Sequence, residues 1–235
     1  MINLIVVPAR GGSKGIPKKN IYPINGKPLL EYTLDVFSQA NIEGDMVVST
    51  DSEDIVEVAQ KYKNVFVVKR PDELAADNAG MEETLMHALS VMEKQTGKNY
   101  DTIITAQPTS PLRRATTIRE FIQEFEDYNG EYDAQLTFSE TKTDFWIRNT
   151  NGELERLFPN ASRRRQERNS LYIENSMLYI TKVSALKTQN SVLGTRARGF
   201  IIDNIEGLDI NEWNDIIMAE FYIQQTKVAG GQDEK

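Results

Sequence analysis

The sequence predicts an α/β fold built on a doubly wound, mostly parallel sheet, and three observations carry that reading. Short apolar runs recur at residues 4–7, 46–48, 65–68 and 102–104 without polar alternation, as strands covered on both faces require. Stretches with apolar residues at helical spacing separate them, the rhythm of strand–helix–strand crossovers. The first run then empties into Arg10-Gly11-Gly12-Ser13-Lys14-Gly15, a glycine- and cation-rich loop where an open α/β sheet can hold phosphate.

Each element follows in order. Lys27-Pro28 reads as a helix start, with Pro28 in the first turn and Leu30, Leu34 and Phe37 on one face. Gly44 marks the exit to the second strand. Asp51 or Ser52 caps a helix whose inner face is Ile55, Val58 and Ala59. After the third strand a long loop spans 69–80. Helix 81–93 carries Leu85, Leu89 and Met92 on one face, and the fourth strand exits through a loop at 107–113. Ile118, Phe121, Ile122 and Phe125 form another helical stripe before a strand at 133–138.

The rhythm breaks over 139–170, a polar, irregular stretch with a hairpin turn at 149–152 and a basic run at 163–168. Strands resume at 176–181 and 199–203. The last helix, 213 to about 224, is predicted to turn Trp213, Ile216, Ile217 and Phe221 inward, with a disordered tail over 227–235. The chain therefore reads as one domain over 1–226, with an insertion or flap at about 139–175.

Bulk properties narrow the function. With 235 residues the chain can bury a core without staples, and its lack of cysteine removes disulfides, thiolate metal sites and a cysteine nucleophile. The cysteine usage fits a reducing, cytoplasmic setting. No signal peptide or membrane span is expected. A net charge of −8 argues against nucleic-acid or membrane-surface binding but not against a nucleotide. A bound phosphate feels adjacent lysines more than an acidic surface beyond a Debye length of about 8 Å.

The first loop has neither the Walker spacing nor GxGxxG. Taken alone it is either a phosphate cradle or a surface turn with solvated lysines. Arg10 and Lys14 are its best phosphate partners, the first as a bidentate fork and the second as a point charge.

The longer string decides between the two. Residues 8–21, PARGGSKGIPKKNI, followed by GKPLLEYTL, closely resemble the amino terminus of the cytidylyltransferases that activate nonulosonic acids, the CMP-sialic acid synthetase family. The resemblance recurs in VSTD at 48–51, RPDELAAD at 70–77, QPTSPLR at 107–113 and LDIN at 208–211, in the family's order. It implies a Rossmann-like sheet of the nucleotidyltransferase type with a dimerisation insertion. The implied activity is transfer of CMP from CTP to the anomeric hydroxyl of a nine-carbon keto sugar acid, with release of pyrophosphate.

The resemblance also implies site residues. Arg10, Gly11, Gly12, Ser13 and Lys14 hold the triphosphate, and Asn20 contacts the nucleotide. Arg70 donates to the cytosine edge, and Asp77 has the weaker claim of capping the next helix. Gln107, Thr109 and Ser110 line the sugar-acid pocket, while Arg113 either holds an anion or caps a helix. Arg165 and Gln166, in the basic run, approach the sugar carboxylate. Asn175 matches a pocket turn, although Ser176 replaces the glycine of relatives. Asp209 holds Mg²⁺ (or Mn²⁺), with Asn211 where the family carries a second aspartate, and nearby Asp203, Glu206 and Glu212 stand as possible substitutes. Arg10, Lys14 and Asp209 are the expected catalytic groups. His87 is read as a bystander, and Trp146 and Trp213 as packing residues. A homodimer follows, one flap reaching toward the partner's sugar site. The alternatives are another nucleotidyltransferase, acting on a sugar 1-phosphate or with GTP, and a non-catalytic nucleotide-binding module. The first loop differs from that of the KDO synthetases, which disfavours that sugar.

Overall fold

The structure is a computed structural model that describes residues 1–76, 79–128 and 130–230, the last five of these as backbone. The strands are β1 (Asn3–Pro8), β2 (Pro23–Ile24), β3 (Lys27–Pro28), β4 (Gly44–Thr50), β5 (Val65–Lys69), β6 (Thr102–Ala106), β7 (Ala134–Thr141), β8 (Trp146–Arg148), β9 (Leu154–Arg156), β10 (Leu171–Lys182) and β11 (Ala197–Ile202). The α-helices are α1 (Leu29–Ala40), α2 (Glu53–Ala59), α3 (Asp72–Ala75), α4 (Met81–Thr96), α5 (Ala115–Asp127), α6 (Val183–Gln189) and α7 (Trp213–Gly230).

Seven strands form one sheet in the order β11-β7-β10-β6-β1-β4-β5. All neighbours run parallel except β10, which is antiparallel to both β6 and β7. The expected mostly parallel, doubly wound sheet is therefore present. Alternation along β1 shows why both faces are covered. Ile5 and Val7 pack under α1, α2 and α5, with Leu34, Phe37, Ile55 and Phe121. Leu4 and Val6 face α4 and α6, with Leu85, Leu89, Met92 and Leu186.

The strand order reverses at β1. From β1 the chain steps outward through β4 to β5, then returns to place β6 on the other side. The loops leaving β1 and β6 must diverge there, which opens a crevice at the carboxyl edge.

Several elements depart from the sequence reading. β2 and β3 form a hairpin whose turn, Asn25-Gly26, has φ of +47° and +79°. β10 begins earlier than expected and contains a bulge between Glu174 and Tyr179. α7 runs to Gly230, so it takes in the first part of the segment expected to be a tail, while 231–235 lies outside the described residues.

On α7 only Ile216 of the four residues predicted to point inward does so; Trp213, Ile217 and Phe221 are exposed. The buried seam is Ile216, Ala219 and Ile223. The helix carries two apolar stripes, and spacing alone does not say which one meets the core. Trp146 is exposed too, on β8.

The 139–170 stretch forms the β8–β9 hairpin, turning at 149–152, where Gly152 has φ +83° and donates to the Asn149 carbonyl. A short 3₁₀ turn, Arg165–Glu167, follows.

Candidate active site

The crevice at the switch point holds a cavity of about 420 Å³. Its walls come from the loop after β1, the loop after β6, Arg70 after β5, the start of α4, and Asn211. Arg10, Ser13, Lys14, Asn20, Arg70, Gln107, Thr109 and Asn211 all face it, so eight of the sequence-nominated residues converge.

The first loop is held by contacts that need its glycines. The Gly11 N–H donates to Asp51 Oδ1 at 2.8 Å, and a Cβ there would fall 2.8 Å from the Ser52 Cβ. Asp51 thus anchors this loop, and no side-chain cap is made at Ser52 on α2. A Cβ on Gly15 would stand 2.9 Å from the Asn211 carbonyl oxygen. Asn20 is buried, and its Nδ2 donates to the Arg10 carbonyl at 2.9 Å, closing the loop on itself.

The lysines divide in a way the sequence did not reveal. Lys18 has left-handed backbone (φ +51°) and points outward to pair with Asp54. Lys19 turns into the cavity, where its Nζ donates to the Ile210 carbonyl at 2.7 Å. Burial pushes the Lys19 pKa below its ordinary value; Asp209 opposes that shift, and the Arg10 charge adds to it. Lys19 is the cavity-lining lysine that sequence reasoning passed over in favour of Lys14.

Arg70 is buried at the end of β5. Its Nη2 donates to the Ser49 carbonyl at 2.8 Å and its Nε to Ser49 Oγ at 3.3 Å. Burial lowers its pKa, Asp51 counters that, and Arg10 adds to it. A guanidinium carries five donors, so Arg70 keeps N–H groups for a ligand. His87 is half-buried on α4 and is not among the lining residues; burial and then the Arg70 charge lower its pKa. Asp77 lies outside the described residues.

Beyond β6, Gln107 and Thr109 line the cavity, whereas Ser110 is buried away from it. Arg113 neither holds an anion nor caps a helix. It is a buried brace: Nη2 donates to the carbonyls of Gln107 and Met177, both at 2.8 Å, and Nη1 to Thr33 Oγ1 at 3.1 Å. Burial draws its pKa down to about 9, with Glu206 opposing, so the group stays charged at neutral pH. Arg113 fixes the β6 loop against α1 and the β10 bulge.

Asp209 and Asn211 lie on one side of an extended segment, as alternation predicts. Asn211 Nδ2 donates to Asp209 Oδ2 at 2.8 Å, while Asp209 Oδ1 is buried with no hydrogen-bond partner among the described residues. Glu206 is no substitute ligand. It accepts from the N–H, Nε and Nη2 of Arg114 and from Thr117 Oγ1.

Arg165, Gln166 and Asn175, like Gly11, Gly12, Ser110 and Asp209, are not among the residues that line this cavity in the single chain. Arg165 and Gln166 sit exposed in the insertion. Asn175 is spent in the β10 bulge: Oδ1 accepts from Thr137 Oγ1 (2.7 Å) and the Met177 N–H (3.2 Å), and Nδ2 donates to Ser139 Oγ (2.9 Å). Ser176 beside it has φ +58°, a conformation that favours glycine.

Comparisons with known proteins bear on this geometry. A family model described as "Cytidylyltransferase" matches residues 4–206. The chain is 30% identical over 227 residues to an N-acylneuraminate cytidylyltransferase of Escherichia coli, covering 95% of this chain and 52% of that protein. It is 29% identical to post-translational flagellin modification protein B of Campylobacter coli, covering 94% and 95%. It is 28% identical to the CMP-N,N'-diacetyllegionaminic acid synthase of Legionella pneumophila, covering 92% and 94%. The chain thus spans about half the length of some curated relatives and nearly all of others.

Among solved structures, a CMP:2-keto-3-deoxy-manno-octonic acid synthetase complexed with CTP superposes with TM-score 0.67 at 17% identity, covering 96% of this chain and 100% of that one. A 4-diphosphocytidyl-2C-methyl-D-erythritol synthase from Anaerococcus prevotii gives 0.68 at 14%, covering 95% and 96%. At these identities the likeness establishes the fold. With the family model spanning most of the sheet and the site loops, the chain belongs to the cytidylyltransferase family.

Proposed function

We propose that the protein transfers CMP from CTP to the anomeric hydroxyl of a nonulosonic acid, with pyrophosphate leaving. The observation that carries this reading is the convergence of Arg10, Lys14 and Lys19 on the same cavity as Arg70 and the neutral Gln107 and Thr109. Three cations at the β1 loop suit a polyphosphate, with charge-assisted donors at fixed positions. Arg70, two strands away along the sheet, suits the base: guanidinium donors match the O2 and N3 acceptors of cytosine, whereas N3 of uracil carries a proton. Gln107 and Thr109 present uncharged donors and acceptors to a polyhydroxy acid.

Chemistry of this kind needs positioning and charge and no covalent enzyme intermediate. Arg10, Lys14 and Lys19 hold the leaving pyrophosphate end and stabilise the charge that builds there. Arg113, through the Gln107 carbonyl, keeps the sugar side aligned with it.

Cytidylyltransferases generally use a divalent metal. The orphaned Oδ1 of Asp209 is a fitting donor for such a hard cation, and Mg²⁺ is the ion we assign. Asp209 would hold it, with Asn211 orienting that carboxylate; the ion would offset charge on the attacked phosphate.

The functional unit we propose is a cytoplasmic homodimer. Trp146, Ile147 and Leu154 on the β8–β9 hairpin and Tyr172 and Ile173 on β10 are all exposed, apolar side chains of the kind an oligomer covers. Arg165 and Gln166, on the same insertion, would then serve the partner's sugar carboxylate. Among the described residues no helix is long and apolar enough to cross a membrane.

The test is pyrophosphate release with each of the four nucleoside triphosphates against sialic, legionaminic and pseudaminic acids. Release that requires CTP and one of these keto acids is the expected result. Turnover with GTP alone overturns the assignment of Arg70.

A further inference from the structure

The basic run of the insertion holds Arg163, Arg164, Arg165 and Arg168, and the fold sorts them. Arg163 places Nη1 3.5 Å from Asp144 Oδ2, and Arg168 places Nη2 3.6 Å from the same oxygen. Arg164 pairs with Glu167 at 3.1 Å. The exposed Arg165 guanidinium makes no hydrogen bond or ion pair among the described residues. It is the cation of the run left over for an outside anion.

Asp144, between β7 and β8, does the sorting. Arg156 on β9 grips it with Nε 3.2 Å from Oδ1 and Nη2 2.9 Å from Oδ2. The same guanidinium donates to the carbonyls of Pro159 at 3.1 Å and Ala161 at 3.0 Å. Arg168, on the far side of Arg165, donates to the carbonyls of Ser162 at 2.8 Å, Arg163 at 2.9 Å and Lys142 at 3.0 Å. The backbone before and after Arg165 thus hangs from two guanidiniums, and one carboxylate gathers both.

The side chains of Asp144, Arg156 and Arg168 are only 16%, 14% and 15% exposed, so they are a polar interior of the insertion. Three guanidiniums this close repel one another, and water screens them poorly there. Among the described residues Asp144 is the one acidic side chain that pairs with any of the three. Hydrogen bonding from Arg156, opposed by burial, holds its carboxyl below the ordinary value, so it is charged at neutral pH. Without that charge both forks come loose, and the turn that carries Arg165 has no fixed aim.

We propose that Asp144 is a positioning residue for the sugar-acid carboxylate: it gathers Arg156, Arg163 and Arg168, so that Arg165 alone is presented to the partner's cavity. This rests on the reading above, in which Arg165 serves that carboxylate, and deepens it.

Steady-state kinetics on the full chain test it, with sialic, legionaminic or pseudaminic acid, whichever the wild type turns over. Asp144→Asn should raise KM for the keto acid about tenfold, the scale of one charge-assisted hydrogen bond. Its kcat, KM for CTP and mass in light scattering should stay at wild-type values. Arg168→Gln, which frees the same turn from the other side, should do likewise. In an Arg165→Ala background, Asp144→Asn should cost no further kcat/KM for the keto acid, whereas a purely structural role would act there too. Wild-type KM for the keto acid in both single variants overturns the inference. So does a loss shared equally with CTP, dissociation of the dimer, or an additive double variant. Arg165→Ala at full activity, or a wild type that turns over none of the three acids, instead overturns the reading above, and this inference with it.

Discussion

Lys19 is the side chain on which the phosphate reading is most directly exposed to test. It lines the cavity, is fixed by the Ile210 carbonyl, and has its pKa lowered chiefly by burial. Lys19→Met should cut kcat/KM for CTP by about 10²-fold, the usual scale for one charge-assisted donor, with little change in melting temperature. A lowered pKa also has a sign. The ammonium must be charged to hold phosphate, so kcat/KM should fall on the alkaline side below the ordinary lysine value of 10.5. Lys19→Arg should move that limb to higher pH; a limb unmoved by the substitution refutes the assignment. Gly15→Ala is the companion test, because its Cβ would press on the Asn211 carbonyl. It should weaken CTP binding by about 1–3 kcal/mol in a titration, as overpacking of a tight contact does. Most of these positions were legible in the sequence because Arg, Lys and Gly have few other reasons to alternate after a buried strand. The choice between Lys18 and Lys19 was not legible. It depends on the left-handed backbone at Lys18, which swings one lysine out to Asp54 and the next one in.

At the scale of elements, a small apolar cluster under the cavity explains why distant segments form one site. Ile16 of the first loop, Ile24 of the β2–β3 hairpin, Leu29 of α1, Ile210 and the inner seam of α7 are buried together. Ile210→Ala should destabilise the fold by about 2–4 kcal/mol by denaturant titration. It should also lower CTP affinity, because the same side chain fastens the Asp209 segment to the glycine loop. On the opposite edge, Asp45 ties the start of β4 to Lys98 and Tyr100. Burial, helped by Asp45, pushes the Tyr100 hydroxyl up to about 12. The unfolded tyrosine loses its proton near 10 and the folded one near 12. Its contribution to stability is therefore complete below pH 10 and lost as pH rises from 10 to 12. Tyr100→Phe should flatten alkaline unfolding over that window, as read by circular dichroism. Strands and helices here were readable from buried runs and stripes, since both faces of the sheet are covered. The Asn25-Gly26 turn had a sequence signal in its dipeptide, strong for a two-residue hairpin, that the reading did not use. The inner face of α7 and the engagement of Asn175 in a strand bulge had none. The first needs the neighbours of two equivalent stripes, and the second needs the register of β7 against β10.

At the scale of the molecule, the single chain leaves part of its own proposed site elsewhere. The cavity has cations for a triphosphate and uncharged groups for hydroxyls, yet Arg165 and Gln166 are exposed on the insertion that also exposes Trp146, Ile147 and Leu154. Exposed apolar side chains and a basic turn on one insertion make sense together if a second copy covers the first and receives the second. Ile147→Asp combined with Leu154→Lys should therefore shift the protein from dimer to monomer in light scattering, and should raise KM for the sugar acid more than KM for CTP. Subunit mixing asks the sharper question of whose cavity Arg165 serves. Arg165→Ala and Lys14→Ala should each be nearly inactive as homodimers. In a mixed dimer, the cavity with an intact Lys14 receives the intact Arg165 of its partner. Random reassortment of equal amounts then restores about a quarter of the wild-type sites. If Arg165 instead serves its own chain, every cavity in every mixture lacks one of the two residues, and no activity returns.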